Sequence, residues 1–393
     1  MRLVEPAGIA AAALWLPRGR SRADDAVREG RLRGRQSRDL GHEEVPDAED
    51  VAPPDMAVRA ARTALARAGV EAADLGQTYH AWMYYQGYDL WSPAHYVAHR
   101  LGALRAVPVG VQQVCNGGSA AVERAAARLA AGAGAGVGVG VGVGASVAGF
   151  APALVPTTAT TASVTASATA STTASTTTPA SDWALVTTAD RFAGPGFDRW
   201  ASDYGVAYGD AGTAVLLRLP AGPSDALLLR SVASVAAPEL EVMHRGADPF
   251  ALVPRGHRPR VDMRATKRAY LHEHGNEPFA RANRRAIGAI VAEALDGAGL
   301  DPWDPGLRYA VLPRFGAKTL AESWVAELAG LTGAEPVDFG RTTGHLGAGD
   351  AAAGLADLLR RRALAPGESA LVFSAGAGFT WSCLLVQAPG RDV

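Results

Sequence analysis

Cysteine is nearly absent from this chain. Its 393 residues include two, Cys115 and Cys383. Two cysteines in a chain of this length do not make a disulfide framework, so a reducing cytoplasm is the expected compartment. We expect Cys383 to be a buried strand residue, because free cysteine packs as a small hydrophobic side chain. That leaves Cys115 as the thiol available for chemistry.

An excess of either charge is also missing. The formal net charge is -1, which gives no electrostatic reason to expect nucleic acid or an anionic membrane as a partner. The sequence has no phosphate-binding glycine motif of the Walker or dinucleotide type and no persuasive metal-ligand spacing, so we expect neither a cofactor nor a metal. With 48% hydrophobic and 20% charged residues, the composition is that of a soluble enzyme of two domains or one large layered unit.

Two apolar stretches resemble export or membrane signals without meeting their requirements. The run 7–17 has no good cleavage site before the charged residues that follow, so a buried first strand is expected there. The stretch 129–156 carries no charge and is long enough to span a membrane, but its alternating glycines oppose a stable helix. Residues 157–179 are almost entirely Thr, Ser and Ala. We interpret residues 132–181 as a low-complexity insertion forming a loop, with a lid or partner-docking segment as the alternative.

Elsewhere, strands and helices alternate, which is typical of a layered α/β protein. The prolines before Asp55 predict a helix with Asp55 as its N-cap. Residues 107–114 are predicted to be a buried strand that runs into the next helix. Residues 370–374 and 383–387 are predicted to form a hairpin. The inner face of the helix after residue 114 is expected to consist of Ala121, Val122, Ala125 and Leu129.

The most informative feature is a pair of segments. Residues 111–119 read VQQVCNGGS and run a strand into a helix with Cys115 at the corner. At a helix start, the unpaired N–H groups and the dipole favour a thiolate. Residues 376–381 read GAGFTW, a tight glycine turn that is able to aim a backbone N–H at a reacting oxygen. Together they predict a nucleophilic thiol and a site for an oxyanion.

Both segments resemble motifs of the thiolase-fold condensing enzymes, and within them of β-ketoacyl-ACP synthase III. Residues 208–215 (YGDAGTAV) and 344–350 (GHLGAGD) are similar to two further segments of that family, in the same order. The resemblance implies a thiolase-like layered α/β/α/β/α fold made of two similar halves. Residues 1–219 would form the half with the nucleophile, and residues 220–393 the second half.

The resemblance also implies a set of site residues. Cys115 would receive an acyl group, and the backbone N–H groups of Cys115 and Ala377 would hold the oxyanion. Condensing members stabilise an enolate with a His and an Asn. The matching segments here carry Arg314 and His345 instead. Arginine cannot be a base at neutral pH, but it could still donate to a thioester or carboxylate oxygen.

A branch of the family that transfers acyl groups in antibiotic pathways uses a Cys, a His and an Asp. Asp350 matches that Asp, whereas residues 313–315 lack the His. Either His345 is the base and Asp350 orients it, or the enzyme is impaired or works with a less demanding acceptor such as an amine. His345 could instead be a loop histidine bonded to backbone, and Asp350 the N-cap of a helix over 351–364.

The expected function is therefore acyl transfer from acyl-CoA or an acyl-carrier protein, through Cys115, to an oxygen or nitrogen of a small acceptor in specialised metabolism. The alternatives are a starter-unit synthase that condenses with decarboxylation, and a non-catalytic member that binds a carrier protein. The resemblance also implies a homodimer.

Two sets of residues have open interpretations. One set would line an acyl or acceptor pocket or form core: Trp82, Tyr84, Tyr85, Tyr88 and Trp91. The other would meet a carrier protein or the phosphates of CoA, or form a solvated basic face: Arg255, Arg258, Arg260 and Arg264.

Overall fold

The computed structural model describes residues 1–134 and 181–390, and ten of the twelve strands in these residues form one sheet. The other two, β2 and β3, pair only with each other. The strands are β1 (Arg2–Trp15), β2 (Arg20–Arg22), β3 (Glu44–Pro46), β4 (Gln77–Ala81), β5 (Val107–Val111), β6 (Trp183–Asp190), β7 (Ala211–Arg218), β8 (Leu227–Ala236), β9 (Leu307–Val311), β10 (Glu335–Val337), β11 (Ser369–Gly376) and β12 (Thr380–Gln387).

Eleven α-helices connect these strands within the described residues. They are α1 (Ala23–Arg28), α2 (Gly34–Leu40), α3 (Pro53–Ala68), α4 (Pro93–Leu101), α5 (Gly117–Gly134), α6 (Val242–Arg245), α7 (Met263–His274), α8 (Glu277–Ala298), α9 (Ala317–Leu320), α10 (Ala326–Leu328) and α11 (Asp350–Arg361). A π-helical turn, Ala321–Val325, links α9 to α10.

The two halves of the large sheet repeat one strand order. Read outward from the centre, the N-terminal half runs β1-β7-β6-β4-β5 and the C-terminal half runs β8-β12-β11-β9-β10. In each half, the first strand is central, the last strand lies beside it and the third strand is at the edge. β1 and β8 pair antiparallel and join the halves. The predicted division after residue 219 falls in the link between β7 and β8, and it stays a prediction.

Five layers result from this arrangement. α3 and α4 pack on the outside of the N-terminal half-sheet, and α8 packs on the outside of the other. α5 and α11 contact each other between the two half-sheets. The predicted inner face of α5 is buried in that central core: Ala121, Val122, Ala125 and Leu129. The predicted α/β/α/β/α fold class is therefore confirmed.

The position of β1 explains its sequence. It pairs with β7 on one side and with β8 on the other, while α3 and α11 both contact it. A strand covered on both faces reads as a continuous apolar run rather than an alternating one. Ala7, Ile9 and Ala12 are accordingly buried, as expected for a first strand in the core. Among the described residues, no helix is long and apolar enough to cross a bilayer.

Several predictions shift in the structure. β5 ends at Val111 rather than at residue 114, and only that last residue is buried. α3 begins at Pro53, with Ala52 as its N-cap, so Asp55 lies inside the first turn. Proline fits the first helical position because its missing N–H would have no partner there. α5 continues to Gly134, so the first residues of the predicted insertion are helical. Residues 135–180 of that insertion lie outside the described residues.

Candidate active site

Cys115 lies in the turn between β5 and α5, as predicted. Val114, just before it, has a φ of +48°, which a β-branched residue rarely adopts. Asn116 N–H donates to Gln113 O at 3.1 Å, and Gly117 N–H donates to Val114 O at 3.1 Å. This tight turn leaves Cys115 partly exposed to an internal cavity that it helps to line.

The side chain of Asn116 ties this turn to the C-terminal half of the molecule. Its amide nitrogen donates to Gln113 Oε1 at 2.9 Å and to Ser382 Oγ at 3.0 Å. Its amide oxygen accepts from Ser374 Oγ at 2.6 Å. A Cβ on Gly376 would lie only 2.6 Å from the backbone nitrogen of Asn116, so this close approach requires glycine. Sequence reasoning missed the role of Asn116 as a clamp between the halves.

His345 and Asp350 form a buried pair in the loop before α11 and at its first residue. His345 Nδ1 lies 2.7 Å from Asp350 Oδ2. Asp350 also accepts from the backbone N–H groups of Leu346 and Arg314, both at 2.9 Å. Burial alone would raise the pKa of Asp350, but His345, Arg314 and these N–H donors together lower it. Asp350 is thus the carboxylate that fixes the ring of His345.

The other ring nitrogen of His345 is Nε2, and His345 lines the cavity together with Cys115. Within the described chain, Nε2 is buried and has no protein hydrogen-bond partner by strict geometry, yet Cys115 contributes to the pKa of the ring as a neighbouring charge and hydrogen-bond acceptor. Burial lowers the pKa of His345, while Asp350 and the Cys115 thiolate raise it, and the outcome lies well above its ordinary value. The imidazole can therefore hold a proton between a carboxylate and a sulfur.

The side chain of Arg314 does not reach this cavity. Its guanidinium is buried, forms an ion pair with Asp357 and donates to Thr343 Oγ1 at 2.7 Å. Only its backbone N–H serves the site, through Asp350. The neighbouring Phe315 faces the cavity instead, with its ring 5.5 Å from that of His345. Arg314 therefore holds Asp350 through its backbone N–H, and its side chain cannot donate to a substrate in this cavity.

Ala377 lies where the sequence places it, in the turn between β11 and β12, and it lines the cavity with Cys115. The turn is anchored because Phe379 exchanges two backbone hydrogen bonds with Ala237, at 2.9 and 3.1 Å. Within the described residues, neither the N–H of Cys115 nor that of Ala377 donates to a protein acceptor. Both donors are thus available to an oxygen in the cavity.

The shared cavity has a volume of about 330 Å³ and is mostly apolar. Its walls come from the turns at Cys115 and Ala377, the loop 203–208, and the helices α6 to α9 with the π turn. Apolar and aromatic side chains form most of the lining: Met83, Val206, Met243, Met263, Leu271, Phe279, Phe315, Trp324, Phe379 and Trp381. Such a cavity suits an acyl chain or a small organic acceptor.

Asp190 is a further residue that sequence reasoning missed. It is fully buried and accepts from the N–H groups of Met83 at 3.0 Å, Tyr84 at 2.8 Å and Ala348 at 3.0 Å. Burial raises its pKa to about 7, although these donors lower it. Met83 also contacts the Cys115 sulfur at 3.7 Å. Asp190 therefore joins the loop beside the thiol to the loop that carries His345.

The two sets left open by the sequence lie mostly outside this cavity. The aromatic residues after β4 line a separate shallow depression, and Tyr85, Tyr88 and Trp91 are exposed. Of the basic residues, Arg255 donates to Tyr84 Oη and Arg258 pairs with Asp248. Arg260 pairs with Asp198, and Arg264 donates to the carbonyls of Trp200 and Asp203. These arginines are largely engaged by the protein itself.

Comparisons with known proteins agree with this fold. Residues 307–388, which include Arg314, His345, Asp350 and Ala377, match the family described as 3-oxoacyl-[acyl-carrier-protein (ACP)] synthase III C terminal. Among solved structures, the acyltransferase ChlB3 is similar over 98% of each chain, with 28% sequence identity and a TM-score of 0.77.

Two more distant structures share the fold. The 3-oxoacyl-(acyl carrier protein) synthase III from Pseudomonas aeruginosa PAO1 is 19% identical over 98% of this chain and 99% of its own, with a TM-score of 0.67. The priming β-ketosynthase from the R1128 polyketide biosynthetic pathway is 17% identical over 99% of each chain, with a TM-score of 0.69. None of the curated proteins matches the sequence.

Proposed function

From the match of residues 307–388 to the synthase III C-terminal family and the similarity to ChlB3, we propose that the protein is an acyltransferase that works through an acyl-enzyme on Cys115. The donor is acyl-CoA or an acyl-carrier protein, and the acceptor is an oxygen or nitrogen nucleophile. One observation carries this choice: the buried His345–Asp350 pair, linked at 2.7 Å, in which His345 lines the same cavity as Cys115 and its Nε2 has no partner among the described residues. The similarity to the acyltransferase ChlB3 supports it.

Loading begins when the Cys115 sulfur attacks the carbonyl carbon of the donor thioester. The oxyanion that forms can accept from the N–H groups of Cys115 and Ala377, the donors left free in the cavity. Collapse of this intermediate breaks the bond to the donor sulfur, and the donor thiolate leaves. The protein now carries a thioester, and the proton of His345 remains available for the departing thiolate.

Transfer needs a base for the acceptor proton. In the acyl-enzyme, Cys115 is no longer a thiolate, so its contribution to the raised pKa of His345 disappears. A neutral ring with its Nδ1–H on Asp350 can accept the proton at Nε2 while the acceptor attacks the thioester. The Cys115 sulfur then leaves as a thiolate, and the enzyme returns to its starting state.

Decarboxylative condensation is the runner-up. That reaction needs two neutral donors that stabilise an enolate. Here the Arg314 guanidinium is paired with Asp357 outside the cavity, and His345 is held by a carboxylate that favours its charged form. This arrangement suits proton abstraction from an acceptor better than enolate stabilisation. A role without catalysis is disfavoured because Cys115, His345 and Ala377 all line one cavity.

The decisive experiment follows the two half-reactions separately. Purified enzyme is incubated with a panel of acyl-CoA donors, and intact mass detects the adduct on Cys115. The loaded enzyme is then offered alcohols and amines, or malonyl-ACP. We expect loss of the adduct with formation of an ester or amide, and no carbon dioxide from malonyl-ACP. A β-ketoacyl-ACP product would instead establish the condensation reaction.

We also propose that the protein acts as a cytoplasmic homodimer. Both cysteines are free thiols, which a reducing compartment would preserve. Size-exclusion chromatography with light scattering measures the assembly directly, and a monomeric mass at working concentration would reject the dimer.

A further inference from the structure

The mostly apolar walls of the catalytic cavity include a charged and polar cluster apart from His345. It consists of Asp203 in the loop between β6 and β7, Lys267 on α7 and His244 on α6, and all three line the cavity. None of them takes part in the proposed transfer of the acyl group. A cluster of charged and polar groups in an apolar pocket usually fixes the orientation of a ligand.

The carboxylate of Asp203 is held by three hydrogen bonds within the protein. Its Oδ1 accepts from the backbone N–H of Tyr204 at 2.6 Å and from the ammonium of Lys267. Its Oδ2 accepts from the hydroxyl of Tyr208 at 3.0 Å. Asp203 is nearly fully buried, so these bonds hold it in place and its charge is balanced by Lys267. Its role is to anchor the ammonium.

Lys267 keeps donors for a ligand. An ammonium has three N–H groups. In the part of the chain that the structure describes, Lys267 donates only to Asp203. Its side chain is 18% exposed and lines the cavity, so the remaining donors face the space that a substrate would fill. An oxygen placed there would accept a charge-assisted hydrogen bond.

His244 supplies a second unfilled group beside the ammonium. Its Nδ1 is buried without a hydrogen-bond partner among the described residues. Burial and the positive charge of Lys267 together lower the pKa of His244 to about 4, so the ring is neutral at neutral pH. The ring lies against Phe379, with centroids 5.1 Å apart. Phe379 belongs to the turn that carries Ala377, so this cluster is close to the reacting centre.

We propose that Lys267 and His244 form a subsite for a hydroxyl group of the substrate, which rests on the proposed acyl transfer. A hydroxyl accepts from the ammonium and can still donate to an imidazole nitrogen, or accept from it in the other tautomer. A carbonyl oxygen satisfies Nδ1 in only one tautomer. A carboxylate would be repelled by the nearby negative charge of Asp203, and a protonated amine would be repelled by the positive charge of Lys267. The hydroxyl belongs either to the acyl group or to an acceptor with more than one hydroxyl.

The test compares matched substrates that differ by one hydroxyl. For the acyl group, loading of Cys115 is measured with 3-hydroxybutyryl-CoA and butyryl-CoA. For the acceptor, transfer is measured with cyclohexane-1,2-diol and cyclohexanol. We expect the wild-type protein to prefer the hydroxylated member of one pair by about tenfold in kcat/KM, since a buried polar group without a partner disfavours the analogue. The pair that discriminates identifies the source of the hydroxyl.

Variants then assign the preference to the cluster. Lys267→Met removes the donors, and His244→Phe removes the nitrogens but keeps a ring against Phe379. Both should reduce the preference to about one. Lys318→Met is the matched control, since Lys318 is the only other lysine in the sequence and its side chain is 47% exposed. A wild-type preference that survives in both cluster variants, or no preference in either pair, overturns the subsite.

A binding measurement separates this inference from the proposed function. Calorimetry with the Cys115→Ser protein compares the affinities of the same four compounds without turnover. If the wild type forms no adduct with any donor, the acyltransferase proposal fails, yet tighter binding of a hydroxylated compound that is lost in Lys267→Met or His244→Phe still supports the subsite. Equal affinities within both pairs count against it.

Discussion

The starts of α5 and α11 occupy equivalent places in the two halves, and they have become different chemical groups. Each helix follows the third strand of its half, and the two helices pack against each other between the half-sheets. The turn before α5 carries Cys115, whereas the turn before α11 carries His345 and leads into Asp350. The repeated strand order thus brings Cys115 from one half and His345 from the other to the same cavity, and each half supplies one part of the site.

The halves also differ in the connection that follows these helices. Seven residues, 362–368, lead from α11 to β11, whereas residues 135–182 lead from α5 to β6. The halves differ again in their cysteines, because Cys115 lines the cavity and Cys383 is buried in β12. The shared architecture therefore tolerates large differences in connection and in side-chain role, and the following experiments test each difference.

The largest effect is expected from replacing each of the two cysteines in turn. Cys115→Ala should abolish the acyl adduct, because no other thiol lies in the cavity among the described residues. Cys383→Ala is the matched control and should load normally, since burial raises the pKa of Cys383 and keeps its thiol protonated. Intact mass after incubation with acyl-CoA measures both. An adduct that persists in Cys115→Ala would remove Cys115 from the mechanism.

The second experiment tests the contribution of the C-terminal half. His345→Ala should lower acyl transfer by about 10²–10⁴-fold, the range for loss of a general base. Asp350→Asn should lower it less, because the base remains although its ring is less well oriented. Single-turnover decay of the preloaded enzyme measures transfer apart from loading. Unchanged decay in His345→Ala would leave the basicity of the acceptor itself to explain the reaction.

Arg314 should matter for stability more than for catalysis. Arg314→Met leaves Asp357 buried with only the exposed Arg360 as a partner, and loss of one member of a buried ion pair costs about 3–5 kcal/mol. The double variant Arg314→Met/Asp357→Leu should recover part of that loss. Urea unfolding measures the stability, and transfer per folded molecule should stay near that of the wild type. A large loss of transfer at normal stability would mean that Arg314 contacts substrate.

The pH dependence of stability should report the His345–Asp350 pair. The pKa of Asp350 is lowered from 3.8, so its contribution is present above that pH and is lost as pH falls through the lowered value. The pKa of His345 is raised from 6.5, so its contribution is present below that pH and is lost as pH rises through the raised value. The unfolding free energies of wild type and Asp350→Asn should therefore differ most between pH 3.8 and pH 6.5, where both contributions are fully present. A difference that grows steadily toward alkaline pH would contradict this assignment.

The smallest effect is expected from shortening the connection between α5 and β6 to a length like that between α11 and β11. Replacing residues 135–180 by a short Gly-Ser link should change the unfolding free energy by only about 1–2 kcal/mol, because closure entropy depends weakly on loop length. Ser181 is kept, since it donates to Asp74 O and accepts from Trp183 N–H at 3.2 Å. Thermal melting and Cys115 loading measure the result. A loss of several kcal/mol would show that the replaced segment is packed structure.

The features that could be predicted from the sequence are mainly local ones. The strand-to-helix corner at Cys115, the apolar face of α5 and the β11–β12 hairpin all follow from short-range patterns, and all are found. The N-cap of α3 was predicted three residues late, at Asp55 instead of Ala52, because the N-cap preference of Asp was weighed above the fit of proline at the first helical position.

The sequence by itself determined the alternation of strands and helices, the thiol at a helix start and a histidine five residues before a carboxylate. Only the tertiary structure decided which way each polar side chain turns. Asn116 clamps Ser382, 266 residues away, and Arg314 turns to Asp357 rather than to the cavity. Such choices depend on which partner can satisfy a buried polar group, and partners distant in the chain become neighbours only once the two halves have packed together.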